Sequence, residues 1–219
     1  MEIQFPIPIT KMSGAGNDFI IIDHRSLFIP EPLQPQFVQA VCRRRFSVGA
    51  DGLILIENSD TADFRWVFYN NDGSIAEMCG NGARCAARYA YRHNIAGQVM
   101  FFETVAGLIE AEILGEHEHV SIKVTDPFGF EQKDDIILGD SPHEIFSVNT
   151  GVPHAVLFIE SGEMPVREWG RLVRLDDRFE PEGTNVNFVR VNGDGELHVT
   201  TYERGVEDVT MACGTGVVA

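Results

Sequence analysis

Three short blocks of this sequence occur twice, in the same order, at an offset of roughly 135 residues. Gly14-Ala15-Gly16-Asn17-Asp18-Phe19-Ile20-Ile21-Ile22-Asp23 returns as Gly151-Val152-Pro153-His154-Ala155-Val156-Leu157-Phe158-Ile159-Glu160, each time a turn followed by an apolar strand ending in an acid. Ala50-Asp51-Gly52-Leu53-Ile54-Leu55-Ile56 returns as Thr184-Asn185-Val186-Asn187-Phe188-Val189-Arg190, and Cys79-Gly80-Asn81-Gly82 returns as Cys213-Gly214-Thr215-Gly216. A period this long exceeds a solenoid unit and points instead to two similar domains facing each other across a cleft.

The first domain is expected over residues 1–125 and the second over 126–219. Asp126-Pro127-Phe128-Gly129 opens a polar connector running to about Pro142. The pattern predicts strands around Ile3 to Met12 and Phe19 to Asp23, then a helix from about Pro35 to Arg44 carrying Phe37, Val38 and Val41. Strands follow near Leu53 to Glu57 and Phe64 to Tyr69, and Asn70-Asn71-Asp72-Gly73-Ser74 reads as a turn. A second helix is expected from near Gly80 to about His93. By repeat arithmetic Ala219 corresponds to a position near Ala86. The helix and the strand-like runs Val99 to Thr104, Leu108 to Ile113 and His119 to Val124 therefore lack full counterparts. An incomplete second domain, in a natural chain that continues past Ala219, is the expectation.

Charge narrows the function classes. Seventeen basic residues against thirty-three acidic ones give a net charge of −16, which repels phosphate backbones and anionic headgroups, so neither nucleic acid nor membrane is an expected partner. No apolar run approaches the ~18 residues of a membrane span, and the first ten residues lack the basic head and apolar core of a signal peptide. A cytoplasmic location follows, in which Cys42, Cys79, Cys85 and Cys213 stay reduced.

Cys79 and Cys213 each stand directly before a Gly-x-Gly at which a helix can begin. First-turn N–H groups have no intrahelical partner, and glycine lets a ligand's oxygens approach them closely. Lowering a thiol pKa from ~8.5 to ~7 takes about 2 kcal/mol, a sum that a helix N-terminus can supply. Cys42 and Cys85, on predicted helices away from such ends, read as buried fillers. Zinc spacing is absent, and Gly14 and Gly16 lack the third glycine of a dinucleotide fingerprint, so neither metal nor cofactor is indicated. Two thiols related by the repeat would approach one carbon from opposite faces, one removing a proton and the other delivering one, which inverts a stereocentre without a cofactor. His154 occupies the slot of Asn17, and Glu203 that of Asn70, which places both on elements lining the same cleft.

The run from Asn70 to Cys85, with Tyr202-Glu203-Arg204-Gly205, Ala212-Cys213-Gly214-Thr215-Gly216, Gly14-Ala15-Gly16-Asn17-Asp18-Phe19 and Thr104-Val105-Ala106-Gly107, closely resembles the diaminopimelate epimerase family. The resemblance implies an α+β fold of two pseudo-symmetric domains, each a strand-rich curved sheet or barrel around a central helix. It also implies a cofactor-independent interconversion of LL- and meso-diaminopimelate on the route to lysine, and a possible homodimer. In that reading Cys79 and Cys213 are the acid/base pair, with His154 assisting Cys79 and Glu203 assisting Cys213. Backbone groups of Gly80, Asn81, Gly82, Gly214 and Thr215 would hold the carboxylate at the reacting centre. Asn17, Asn70, Asn185 and Arg204 would bind the remaining polar groups of the substrate.

The chain departs from the family pattern at Val152, where an asparagine is common, and at Gly52, where some members carry glutamine. Val152 keeps open a racemase or epimerase of another amino acid, such as proline or hydroxyproline. A third reading, from a different class, is a redox-responsive protein in which Cys79 and Cys213 join reversibly.

Overall fold

The computed structural model describes residues 5–115, 119–124, 126–159 and 164–219. Two compact units are present, Met1–Lys123 and Val124–Ala219. The architecture is α+β, two strand-rich sheets with few helices.

In the first unit seven strands lie in chain order across one sheet: β1 (Thr10–Gly14), β2 (Asn17–Asp23), β3 (Gly52–Glu57), β4 (Phe64–Asn70), β5 (Val99–Thr104), β6 (Gly107–Leu114) and β7 (His119–Ile122). Neighbours are antiparallel except β2/β3 and β4/β5, which are parallel. Parallel pairs need a long crossover, supplied by helices α1 (Gln34–Cys42) and α2 (Gly80–Arg92). The helices cover opposite faces. Ile20, Ile22, Leu53 and Leu55 pack with Phe37, Val38 and Cys42 of α1, whereas Phe19, Ile21, Ile54 and Ile56 pack with Ala83, Ala86, Ala87 and Ala90 of α2. Burial on both sides explains why β2 and β3 read as unbroken apolar runs. Helix α2 touches both edge strands, β1 and β7, as well as β2 and β6, so the sheet curls around it. Its alanines let the strands come close, and Trp66, Phe64 and Phe102 fill the remaining space.

The first strand differs from expectation. Residues 5–9 are not in a strand and β1 begins at Thr10; the start of the expected run, at Ile3, lies outside the described residues. Pro6 and Pro8 have no N–H to give to a ladder, so pairing starts after them.

The second unit is a six-stranded sheet in the order β13-β12-β11-β10-β9-β8. Its strands are β8 (Phe128–Leu138), β9 (Ser141–Asn149), β10 (Pro153–Phe158), β11 (Asn185–Val191), β12 (Leu197–Glu203) and β13 (Asp208–Thr210). Only β10/β11 is parallel, joined across α3 (Val166–Arg174), which covers Ala155, Leu157, Val186, Phe188 and Tyr202. A short helix, α4 (Gly214–Val218), packs against β11 and β12.

The connector expected over residues 126–142 is a strand. Residues Phe128–Leu138 form the outermost strand of the sheet, paired with β9. As an edge strand it buries only Ile136 and Leu138, and two breaks in register interrupt its alternation, so its composition reads as polar coil. Glu160, the acid expected to end the second β10-like run, lies outside the described residues. Among the described residues no helix is long and apolar enough to cross a membrane.

Candidate active site

Cys79 is the N-cap of α2. Its backbone is extended (φ −146°, ψ 116°), and its sulfur accepts the Gly82 N–H at 3.4 Å while its carbonyl receives Ala83 N–H at 2.8 Å. Sulfur thus takes the place of the oxygen that usually caps a helix, in contact with the electropositive end of a helix of 13 residues. Gly14 permits the hairpin β1/β2 to pass this turn. A β-carbon on it would lie 2.9 Å from the Asn81 carbonyl and 3.0 Å from the Cys85 sulfur.

Polar residues tie the hairpin to that turn. Asn81 donates from its amide to the Asn17 side-chain oxygen at 2.7 Å, and Asn17 in turn donates to Asp51 at 3.3 Å. Arg84 donates to the Asn81 side-chain oxygen. Asp18 and Asp51 exchange backbone N–H to carboxylate bonds at 3.1 Å, and Arg44 bridges both carboxylates. Burial alone would raise the Asp18 pKa, but hydrogen bonds and charge from Arg44 and Lys11 hold it well below the usual carboxylate range. Asn70 closes the turn after β4 by donating to the Ser74 hydroxyl at 3.0 Å. Of the sequence-derived residues in this unit, Cys79, Gly80, Asn81, Gly82 and Asn17 are therefore brought together at one helix end.

Cys42 and Cys85 sit in the two apolar clusters, and burial pushes both thiols up to about 11. None of the four cysteines is in a disulfide.

In the second unit Cys213 precedes α4 with the same extended backbone (φ −122°, ψ 105°), but its side chain makes no capping bond; its sulfur lies 3.4 Å from the Thr215 hydroxyl. Burial raises the Cys213 pKa, the bond to Thr215 opposes that, and the charge of Glu203 adds to it. Burial raises the Glu203 pKa as well. His154, 1% exposed on β10, reaches the Thr215 hydroxyl with Nε2 at 3.0 Å. Its Nδ1 faces the Asn187 amide nitrogen at 2.9 Å. Burial, and secondarily the Arg204 charge, push the histidine down to about 4. Asn185 donates to the Pro153 carbonyl at 3.1 Å and accepts the Arg204 backbone N–H at 2.9 Å, so it joins the start of β10 to the residue that follows β12. The Arg204 guanidinium donates to the Glu182 carbonyl at 3.1 Å. Cys213, Thr215 and His154 form one cluster, with Glu203 near enough for its charge to act on the thiol.

Asn187 and Thr201 were not singled out from sequence. Both are buried, and Thr201 donates to the Asn187 side-chain oxygen at 2.9 Å. The block match had set Asn187 opposite Leu53, whose side chain faces α1. In the sheet Asn187 instead lies on the face covered by α4, as Ile54 and Ile56 lie on the face covered by α2. The match of these two strands is one residue out, and in a strand that turns every side chain to the opposite face. A buried asparagine in the second place of Asn-Val-Asn, amid an apolar strand, was the available signal.

The family model that matches the chain is that of diaminopimelate epimerase, over residues 9–127 and 146–219. The chain is 46% identical to the diaminopimelate epimerase of Aquifex aeolicus, covering 95% of this chain and 78% of that one. It is 42% identical to that of Archaeoglobus fulgidus, covering 97% and 79%. Among solved structures, a probable proline racemase from Agrobacterium radiobacter matches with a TM-score of 0.70 at 15% identity, over 96% of this chain and 74% of that one. A phenazine biosynthesis protein of Bacillus anthracis matches with a TM-score of 0.69 at 13% identity, over 95% and 76%. These two likenesses are of fold. The sequence matches extend through both units and through both cysteine turns, and on them the chain belongs to the diaminopimelate epimerase family.

Proposed function

We propose that this chain is an isomerase that interconverts LL- and meso-diaminopimelate in lysine biosynthesis, with Cys79 and Cys213 as a cofactor-independent acid/base pair. The observation that carries the reading is the placement of each thiol at the start of a Gly-x-Gly helix, once in each unit, in a member of this family.

One cysteine, as thiolate, removes the α-proton while the other, as thiol, delivers a proton to the opposite face; the roles exchange with the enantiomer bound. At Cys79 the Gly82 N–H and the helix end favour the thiolate. At Cys213, Glu203 is the carboxyl suited to exchange a proton with the sulfur: its charge acts on the thiol, and burial raises its own pKa above the ordinary carboxylate value. An α-proton beside a carboxylate is weakly acidic, so the developing charge needs preorganised donors. Backbone groups of Gly80, Asn81, Gly82, Gly214 and Thr215 are assigned that role. Asn17, Asn70, Asn185 and Arg204 are assigned to the other polar groups of the substrate, the arginine for its forked pair of donors. His154 is assigned to assist Cys79, as Glu203 assists Cys213. The chemistry requires both thiols to flank one α-carbon. A cytoplasmic homodimer is part of the same reading.

The test is turnover of LL-diaminopimelate in deuterated water, with L-proline as a comparison substrate. Deuterium should enter the inverted α-carbon, and both Cys79→Ala and Cys213→Ala should abolish its incorporation. Product free of deuterium, or turnover unaffected by Cys79→Ala, refutes the mechanism; preference for proline refutes the substrate.

A further inference from the structure

Asn187 is a fully buried side chain that touches His154 and makes two further bonds of its own. Its amide nitrogen lies 3.2 Å from the Ala155 carbonyl and 2.9 Å from His154 Nδ1, while its oxygen receives the Thr201 hydroxyl at 2.9 Å. The Ala155 carbonyl can only accept, which fixes the amide nitrogen on that side; its two N–H groups then go to the carbonyl and to the imidazole. Nδ1 must therefore present a lone pair. A proton there would set N–H against N–H between two buried side chains, His154 at 1% and Asn187 at 0% exposure. A neutral imidazole with a lone pair at Nδ1 carries its proton on Nε2, and Nε2 points at the Thr215 hydroxyl, 3.0 Å away. That hydroxyl is the group beside the Cys213 sulfur, at 3.4 Å.

We propose that Asn187 is a positioning residue that locks His154 in the tautomer protonated at Nε2, so that a directed hydrogen-bond chain runs from His154 through the Thr215 hydroxyl to the sulfur of Cys213. With Nε2–H donating to its oxygen, the Thr215 hydroxyl is left to donate its hydrogen to the thiolate. When Cys213 takes the α-proton, that proton rests on sulfur; Thr215 and His154 keep their own, and neither changes charge. The arrangement is held from both sides. Thr150 donates to the Thr215 carbonyl at 3.0 Å, and Gly216 leaves room for Asn187, whose oxygen would lie 2.2 Å from a β-carbon at that position. The ionisable groups around the chain are Cys213 itself, Glu203, whose charge acts on the sulfur, and Arg204, whose charge acts on the histidine. The inference rests on Cys213 being one of the two acid/base thiols, but its test does not depend on turnover.

Two measurements on the 219-residue chain decide it. The first is the tautomer itself, read from long-range proton–nitrogen correlations of protein labelled with nitrogen-15 histidine, with the His154 signals assigned by their loss in His154→Gln. A proton on Nε2 and a bare Nδ1 at neutral and mildly alkaline pH are expected; a proton on Nδ1, or an imidazolium, overturns the proposal. The second is alkylation of Cys213 by iodoacetamide as a function of pH, quantified on its peptide with the Cys79 peptide as internal reference. A hydrogen bond to a charged group is strong enough that Thr215→Val should slow Cys213 alkylation about tenfold below the thiol pKa. Thr215→Ser should restore the rate, and neither should move Cys79. Asn187→Asp, which accepts from Nδ1–H and so reverses the tautomer, should slow Cys213 by a similar factor. Cys213 profiles unmoved by Thr215→Val overturn the chain even if Asn187→Asp does not fold. Absence of epimerase activity, with both results as expected, would refute the proposed function and leave the hydrogen-bond chain standing.

Discussion

Acid should weaken the second unit through His154. The unfolded chain protonates this histidine near 6.5, whereas burial and the Arg204 charge keep it neutral in the folded protein until about 4. Between those values the unfolded state binds the extra proton, so stability falls as the pH is lowered, beginning below about 6.5 and complete near 4. At about 1.4 kcal/mol per pH unit, the loss amounts to about 3 kcal/mol, a large share of the 5–15 kcal/mol typical of a domain. Other groups titrate over the same range, so the measurement is a difference. Wild type and His154→Gln, which keeps an amide donor and a carbonyl acceptor but no ionisable proton, are unfolded in urea at a series of pH values. The second unit is followed by amide exchange in β10 and β11. Wild-type stability minus variant stability should decline towards acid by about 3 kcal/mol. A difference that stays flat from neutral pH down to 4 would mean that the folded protein protonates His154 as readily as the unfolded chain does. The lone pair assigned to Nδ1 would then be wrong.

Three further outcomes follow from packing and charge. Gly52→Ala should destabilise the first unit by about 1–3 kcal/mol in denaturant titrations, because the added carbon would lie 2.6 Å from the Phe68 ring and 2.7 Å from the Tyr69 carbonyl. Gly216→Ala should displace Asn187 and lower the protection of β11 amides against exchange, with the first unit unaffected. Asp18→Asn should cost about 1–3 kcal/mol at neutral pH by removing the negative charge, and one of the two acceptor oxygens, that Lys11 and Arg44 engage. Asp18 titrates below its ordinary value in the folded state, so the wild-type advantage is present above about 4 and should disappear in strong acid, as urea titrations at each pH would show.

Much of the candidate site was legible because glycine and cysteine mark backbone events directly. The duplicated Cys-Gly-x-Gly pointed to two helix starts, and both are present, with Cys79 and Cys213 in the N-cap position. The strands β2 and β3, buried on both faces, announced themselves as apolar runs. Exposed edges did not: Phe128–Leu138 carries charges on both faces, and nothing local separates such a strand from coil. Prolines at 6 and 8 shortened β1 by a rule that acts through the partner strand's hydrogen bonds and leaves the strand's own hydropathy unchanged. Asn187 escaped notice for a geometric reason. A sequence match tolerates a slip of one position, but a pleated strand does not, and the slip set a buried hydrogen-bonding residue against a leucine of the opposite face.

The sulfur at the start of α2 has two duties. It is the atom assigned to proton transfer, and it also closes the first turn of the helix about which seven strands are wrapped. An electrophile or oxidant that captures this thiol therefore removes a structural clasp together with a reactive group, and the damage should spread as loosening of the amino-terminal half. Inhibitors that merely sit beside the thiol would leave that clasp fastened.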